Sequence, residues 1–210
     1  MMGEAAGALE KTYAEYLAIE AASETKHEWV DGCVYAMSGG TIAHNQLGAQ
    51  MIMELGRLVE GRRCRVLTSD QRTRPRSIRF ATYPDVTVVR GKPITHEDDP
   101  HAIVNPLVLV EVLSDGTERW DRTGKFRRYR KLESLKHYVL VSQHDRCIEV
   151  YTRGADNEWV LREATDGETI ALSALEGVLD VDRVYRDVEL TPSTDREDVG
   201  PSPPRGPRVE

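Results

Sequence analysis

The sequence predicts an α/β domain, on three observations. Two nearly continuous apolar runs, Asp85–Val89 (DVTVV) and Leu107–Leu113 (LVLVEVL), suit central strands covered on both faces. Segments with helical spacing of apolar residues flank them, beginning at residues 10, 41 and 119. Further short β-rich runs follow at Tyr138–Ser142, Ile148–Thr152, Trp159–Arg162 and Ile170–Leu172, separated by turn residues.

In chain order, residues 10–21 place Tyr13, Tyr16 and Leu17 at helical spacing. Thr12 and Glu15 stand where a capping box needs them. HEWVDGCVYAM then reads as a hairpin, because Asp31-Gly32 is a pair that tolerates the positive φ of a tight turn. Gly39-Gly40 breaks the chain, and Thr41 caps a second helix to about Leu58, with Ile42, Leu47, Met51, Leu55 and Leu58 along one side. Arg63–Ser69 reads as a strand. Arg72, Arg74 and Arg76 alternate and would share a face if extended. His96–Pro100 reads as a polar loop and Arg119–Leu132 as a third helix.

The chain has 210 residues, which fits one domain with trimmings: a flexible N-terminus over 1–11, a folded domain over 12–190, and a tail over 191–210. That tail holds five prolines and almost no large apolar side chains, so it is expected to stay disordered. No apolar run approaches the roughly 20 residues that span a bilayer, and no basic start leads into an apolar stretch. Cys33, Cys64 and Cys147 are odd in number and far apart, against a disulfide framework or a CxxC site. A cytoplasmic protein with free thiols and no membrane contact is the expectation. Net charge is −7, but residues 57–131 hold 17 Lys and Arg against 10 Asp and Glu. That middle segment either faces a polyanion or merely solvates two surface elements.

Asp85 opens one apolar strand and Glu111 lies within the other. Ionised carboxylates in such surroundings need partners. Either each is paired with an arginine, or the two share a divalent cation, for which oxygen ligands suit a hard ion such as Mg²⁺. Lys125, on the helix after the Glu111 strand, is either an exposed lysine or a cation near the strand end, able to orient water or neutralise phosphate. At about 100° per residue, Arg122 and Lys125 would share a helix face. Glu28, in the first hairpin, is either a further ligand or a surface acid paired with Lys26. Asp70 and His44 are weaker candidates still, and His44 reads as a hydrogen-bonded helix-start histidine rather than a base or ligand. HExxH, GxSxG and glycine-rich phosphate loops are absent.

The ordered series KHEWVDGCVYAMSG, His44-Asn45, YPDVTVV, VLVEVLSDGT, Asp121…Lys125…Tyr129 and HYVLVS resembles the Uma-two family of restriction endonuclease-type proteins, within the PD-(D/E)XK nuclease superfamily. The resemblance covers roughly residues 12–185. It implies a mixed central β-sheet flanked by helices, with an N-terminal helix and β-hairpin. Pro84-Asp85 matches the PD element and Glu111 the (D/E) element. The superfamily lysine would stand at 113, where this chain has Leu113, and Lys125 matches the lysine that replaces it in the Uma-type family. Glu28 matches the acid of the first hairpin. The implied activity is DNA phosphodiester hydrolysis with Mg²⁺ (Mn²⁺ as substitute) held by Asp85, Glu111 and the Val112 carbonyl. DNA would be gripped by the arginine-rich middle segment, and cutting both strands of a duplex suggests a homodimer. The alternatives are a non-catalytic nucleic-acid or protein binding module on the same fold, and a phosphoesterase acting on something other than DNA.

Overall fold

The computed structural model describes residues 10–190, so the expected tail over 191–210 and most of the expected N-terminal segment lie outside the described residues. Helix α1 (Tyr13–Ala22) starts at Thr12, whose hydroxyl accepts from the Glu15 N–H while the Glu15 carboxylate accepts from the Thr12 N–H. Strands β1 (His27–Val30) and β2 (Cys33–Ala36) form the hairpin. Asp31 and Gly32 take φ of 50° and 88° at its turn. Tyr16, Trp29, Val34 and Ala81 make a small core that fastens α1 to this hairpin.

Helix α2 (Ile42–Leu58) is capped by Thr41 and buries Leu47, Met51 and Leu55. Ile42, expected on the buried side, is 80% exposed. Then come β3 (Cys64–Leu67), β4 (Arg72–Thr73), β5 (Phe80–Ala81), β6 (Val86–Arg90), β7 (Thr95–His96), β8 (Asp99–Ile103) and β9 (Val108–Val112). The expected polar loop at His96–Pro100 is instead the β7/β8 hairpin, joined to β4.

The expected helix over 119–132 is broken into three parts. A short α3 (Glu118–Trp120) leads into a π-helical turn (Asp121–Lys125) and then α4 (Phe126–Tyr129). Strands β10 (His137–Val141), β11 (Ile148–Arg153), β12 (Trp159–Ala164), β13 (Thr169–Leu172) and β14 (Gly177–Asp180) follow, then α5 (Val181–Val184).

The central sheet runs β12-β11-β10-β9-β6-β3. Only β9 and β10 pair in parallel; the helical segment between them is the crossover a parallel pair requires. The sheet is therefore mixed. One face carries Val86, Val88, Val108, Val110, Val139 and Val141 against α2, α5 and the β13/β14 ribbon. The other carries Leu109, Leu113, Tyr138 and Leu140 against Tyr129 and Leu132. Each such buried aliphatic side chain contributes about 1.5–3 kcal/mol.

His137, fully buried on β10, illustrates how tightly this frame holds polar groups. Its Nε2 accepts the Ala174 N–H at 3.0 Å, and Nδ1 lies 3.0 Å from the Thr152 hydroxyl. Burial pushes its pKa from 6.5 down to about 4. The unfolded chain therefore binds a proton between those values that the folded protein refuses. The stability this ring contributes is complete above about pH 6.5 and declines as pH falls toward 4. We expect the His137 imidazole resonances to titrate near pH 4, and the melting temperature of the native protein to fall more steeply across this window than that of His137→Gln. A midpoint above pH 6 would contradict this account.

Candidate active site

Strand alternation delivers the acids. On β9, Val108, Val110 and Val112 face α2, so Leu109, Glu111 and Leu113 face the α3–α4 side. β6 and β9 are antiparallel neighbours with Val86 opposite Val110, and continuing that register sets Asp85 opposite Glu111. Asp85 Oδ2 accepts the Val112 N–H at 2.7 Å, which closes the end of the ladder with a side chain. Asp85 and Glu111 line one cleft of about 270 Å³, together with Glu28, Asp121, Lys125 and His44.

Lys125 Nζ sits at the centre. It lies 3.1 Å from Glu111 Oε2, 3.1 Å from Asp121 Oδ1 and 3.4 Å from Glu28 Oε1. All four residues are at least 95% buried. The Tyr129 hydroxyl donates to Glu111 Oε1 at 2.6 Å, and the Thr82 hydroxyl donates to Glu28. Glu28 thus pairs with Lys125, whereas Lys26 pairs with the exposed Asp70 at 3.1 Å, away from the cleft.

Burial drives the titration of these groups. It pushes the Glu111 carboxyl well above the ordinary range against the pull of Lys125, with Asp121 and Asp85 adding to the rise. Burial likewise raises Asp121. Lys125 resists its own burial because Asp121, Glu111 and Glu28 hold its proton. His44 Nε2 stands 3.4 Å from Asp85 Oδ2. Burial opposes its protonation, but the Asp85 carboxylate, supported by Asp121, leaves its pKa above the ordinary value.

The donor set fits a divalent cation. Four carboxylates share the cleft with one obligate cation, so negative charge remains in excess. Two of these carboxyls are displaced toward their neutral form by burial. Such a cluster takes up protons or a hard cation, and its donors are all oxygen apart from His44. A second tight group, Cys147, Glu149 and Glu163, has ligand atoms within 4.8 Å of one another. It suits a metal less well. Arg122 occupies Glu149, and burial with the two carboxylates pushes the Cys147 thiol up to about 12.

The structure gathers Glu28, Asp85, Glu111, Val112 and Lys125 at one place. Two cleft residues play a larger part than the residue pattern assigned them. His44 does begin a helix, with its N–H on the Thr41 hydroxyl at 3.0 Å, yet its ring reaches Asp85. Asp121 was visible only as part of the family resemblance. Its sequence signal is the i,i+4 spacing to Lys125 on a predicted helix.

Two expectations fail. Arg122 and Lys125 do not share a face. The π-turn winds by less per residue than an α-helix, which swings Arg122 away from the face Asp121 and Lys125 share and onto Glu118 and Glu149. Nor do the arginines between 62 and 79 line the cleft, whose lining has no arginine among the described residues. Arg72 is buried on Asp99 and Glu20, at 2.5 and 3.5 Å. Arg74 stacks 3.6 Å from the Tyr13 ring centroid and bonds His96. Arg76 pairs with Glu97 and Arg79 with Glu10. These charges are consumed in fastening β4, the β7/β8 hairpin and α1 together.

A family model described as "Uma2: Putative restriction endonuclease" matches residues 13–182. The chain is 32% identical over 172 residues to "Uncharacterized protein slr1290" of Synechocystis sp. (strain ATCC 27184 / PCC 6803 / Kazusa), covering 82% of this chain and 90% of that one. It is 30% identical over 152 residues to "Uncharacterized protein sll1609" of the same organism, covering 72% and 86%. Its fold is similar to a crystal structure described as a putative nuclease belonging to DUF820 from Anabaena variabilis ATCC 29413, with TM-score 0.64, 15% identity and coverage of 78% and 91%.

The π-turn carries a testable constraint. A Cβ on Gly124 would lie 2.0 Å from the Trp120 ring, which lines the cleft, whereas a Cβ on Gly48 in α2 would meet nothing within 4 Å. In an ordinary helix, Gly→Ala stabilises by about 1 kcal/mol. We expect that sign for Gly48→Ala and the opposite for Gly124→Ala, a loss of about 1–3 kcal/mol from overpacking, read from denaturant midpoints. Equal stabilisation by both would show that Trp120 does not rest on Gly124.

Proposed function

This chain belongs to the Uma2 family, and from that premise we propose that it is a divalent-metal-dependent endonuclease that hydrolyses DNA phosphodiester bonds at the Asp85–Glu111 cleft. The observation that carries the reading is the convergence of three buried carboxylates on one buried ammonium, with a fourth, the half-buried Asp85, lining the same open cleft. A purely structural ion pair does not need that excess of acid. Mg²⁺, with Mn²⁺ as substitute, would be held by Asp85, Glu111 and the backbone carbonyl of Val112. The N–H and C=O of one strand residue point to the same side, and the Val112 N–H points at Asp85. When bound, the cation supplies Lewis-acid stabilisation of the negative charge that develops on the phosphate.

The protein groups have separable tasks. Tyr129 fixes one oxygen of Glu111 and Lys125 approaches the other, so the carboxylate cannot rotate. Asp121 and Glu28 orient the Lys125 ammonium. That compact point charge suits an attacking water or a single phosphate oxygen. The water displaces a sugar oxygen in line, and Lys125 offsets the added charge on phosphorus oxygens. His44, beside Asp85 in the same cleft, is the remaining group able to exchange a proton with water or substrate. For DNA contact, the reading uses Arg119, Arg127, Arg130 and Lys131. They are exposed on or just after the segment that carries Lys125. We place the protein in the cytoplasm, consistent with its free cysteines. No helix of the described residues is long and apolar enough to cross a membrane.

The test is incubation of the purified chain with supercoiled, linear and single-stranded DNA in Mg²⁺, Mn²⁺ or EDTA. We expect metal-dependent cleavage that Glu111→Gln and Asp85→Asn each lower by roughly a hundredfold or more. Mg²⁺ should also raise the melting temperature of the native chain, by preferential binding to the folded state, and raise that of Asp85→Asn less. DNA binding without cleavage in either metal would instead identify a non-catalytic module. Cleavage unaffected by both substitutions would move the active centre elsewhere.

A further inference from the structure

β12 ends the six-stranded sheet, paired with β11 on one side and with no strand on the other among the described residues. Its free side can be read from its bonded side. Gly154 N–H donates to the Glu158 carbonyl at 2.9 Å, and Glu158 N–H donates to the Ala155 carbonyl at 3.1 Å. The backbone groups of 158, 160 and 162 therefore point inward to β11, and those of Trp159, Leu161 and Glu163 point outward. Val160 and Leu161 are 50% and 47% exposed. Glu158 and Arg162 are exposed and form no ion pair among the described residues.

Natural sheets blunt an open edge with charges. Here Glu158 and Arg162 are spaced so that each can pair with its opposite across a second copy. A two-fold axis normal to the sheet keeps each residue on its own face, so paired residues share parity and the register centres on one residue. Centring on Arg162 sets arginine against arginine. Centring on Leu161 sets Val160 against Arg162 and Trp159 against Glu163. Centring on Val160 sets Val160 against itself, Trp159 against Leu161, and Glu158 against Arg162 twice. In that register the Trp159–Leu161 pairs are also the hydrogen-bonded ones, because both residues point outward.

We infer that β12 is a homodimer interface. Two copies pair antiparallel about Val160 and join their six-stranded sheets into one. The occupant is a second copy because the pattern Glu158-Trp159-Val160-Leu161-Arg162 is complementary to itself in charge and in apolar character.

The test is sedimentation of the full chain at micromolar concentration with variants at these exposed positions. The native chain should be dimeric. Glu158→Arg and Arg162→Glu should each weaken the dimer roughly tenfold, since like charges would then face each other twice, and the double exchange should restore it. The Val160 pair is a non-hydrogen-bonded one with Cα atoms about 4.5 Å apart, within reach of a disulfide. Under mild oxidation Val160→Cys should therefore cross-link into dimers above the background of the native cysteines, and Leu161→Cys should not. A monomeric native chain overturns the inference and leaves the edge open for a strand of another protein. A dimer indifferent to both charge reversals, with Val160→Cys uncrosslinked, places the interface elsewhere and overturns it equally.

Discussion

A carboxylate in the middle of a buried strand is the constraint to which much of this molecule answers. Glu111 has apolar neighbours along β9 and faces the packed helical side of the sheet. Left alone, a charge there would cost several kcal/mol. Lys125 meets it, but that ammonium is equally buried and needs more than one acid to keep its proton. Glu28 supplies one from the first hairpin and Asp121 another from the preceding turn. The Lys125 head group therefore ties together three pieces of chain far apart in sequence: the hairpin, the central strand and the crossover segment. The site and the tertiary fold are held by the same bonds, which is how a group of charges persists where an apolar core would be easier to build.

The crossover segment shows what that demand does to local structure. A regular α-helix over 119–132 would set Arg122 beside Lys125. The chain instead widens into a π-turn from Asp121 to Lys125, a form rare in helices and frequent at functional sites. The wider turn keeps Asp121 and Lys125 together on the cleft side while releasing Arg122 to bridge Glu118 and Glu149. Gly124 lets the Trp120 ring lie against the turn, and that ring forms part of the cleft wall. Departures from local regularity of this kind concentrate where tertiary interactions outweigh propensity.

Charge along the chain and charge in space part company here. The positive excess over residues 57–131 is real as a count. Yet Arg72 and Arg74 are buried, stacked on tyrosines and bonded to Glu20, Asp99 and His96. Those acids come from α1 and the β7/β8 hairpin, so the arginines neutralise partners drawn from elsewhere in the sequence. Arg119, Arg127, Arg130 and Lys131 stay exposed on or just after the crossover segment that carries Lys125. A polyanion would meet that smaller group.

The sequence by itself determined the longer elements and their order, because these rest on local chemistry. Thr12 and Glu15 suffice for a capping box, Asp31-Gly32 for the hairpin turn, and nearly continuous apolar, β-rich runs for β6 and β9. It also marked Asp85 and Glu111, since a lone acid in an apolar run is conspicuous without any coordinates. The short strands β4, β5, β7 and β8 were not legible, because two to five residues carry too little periodicity to distinguish a strand from a loop, and their pairing is non-local. Only the tertiary structure decided that His44 turns its ring to Asp85, that Asp121 completes the acidic group, and that Arg72 and Arg74 face inward. Those outcomes depend on which distant segments meet, and the free energy of a charge is fixed by its surroundings in space rather than by its neighbours in the chain.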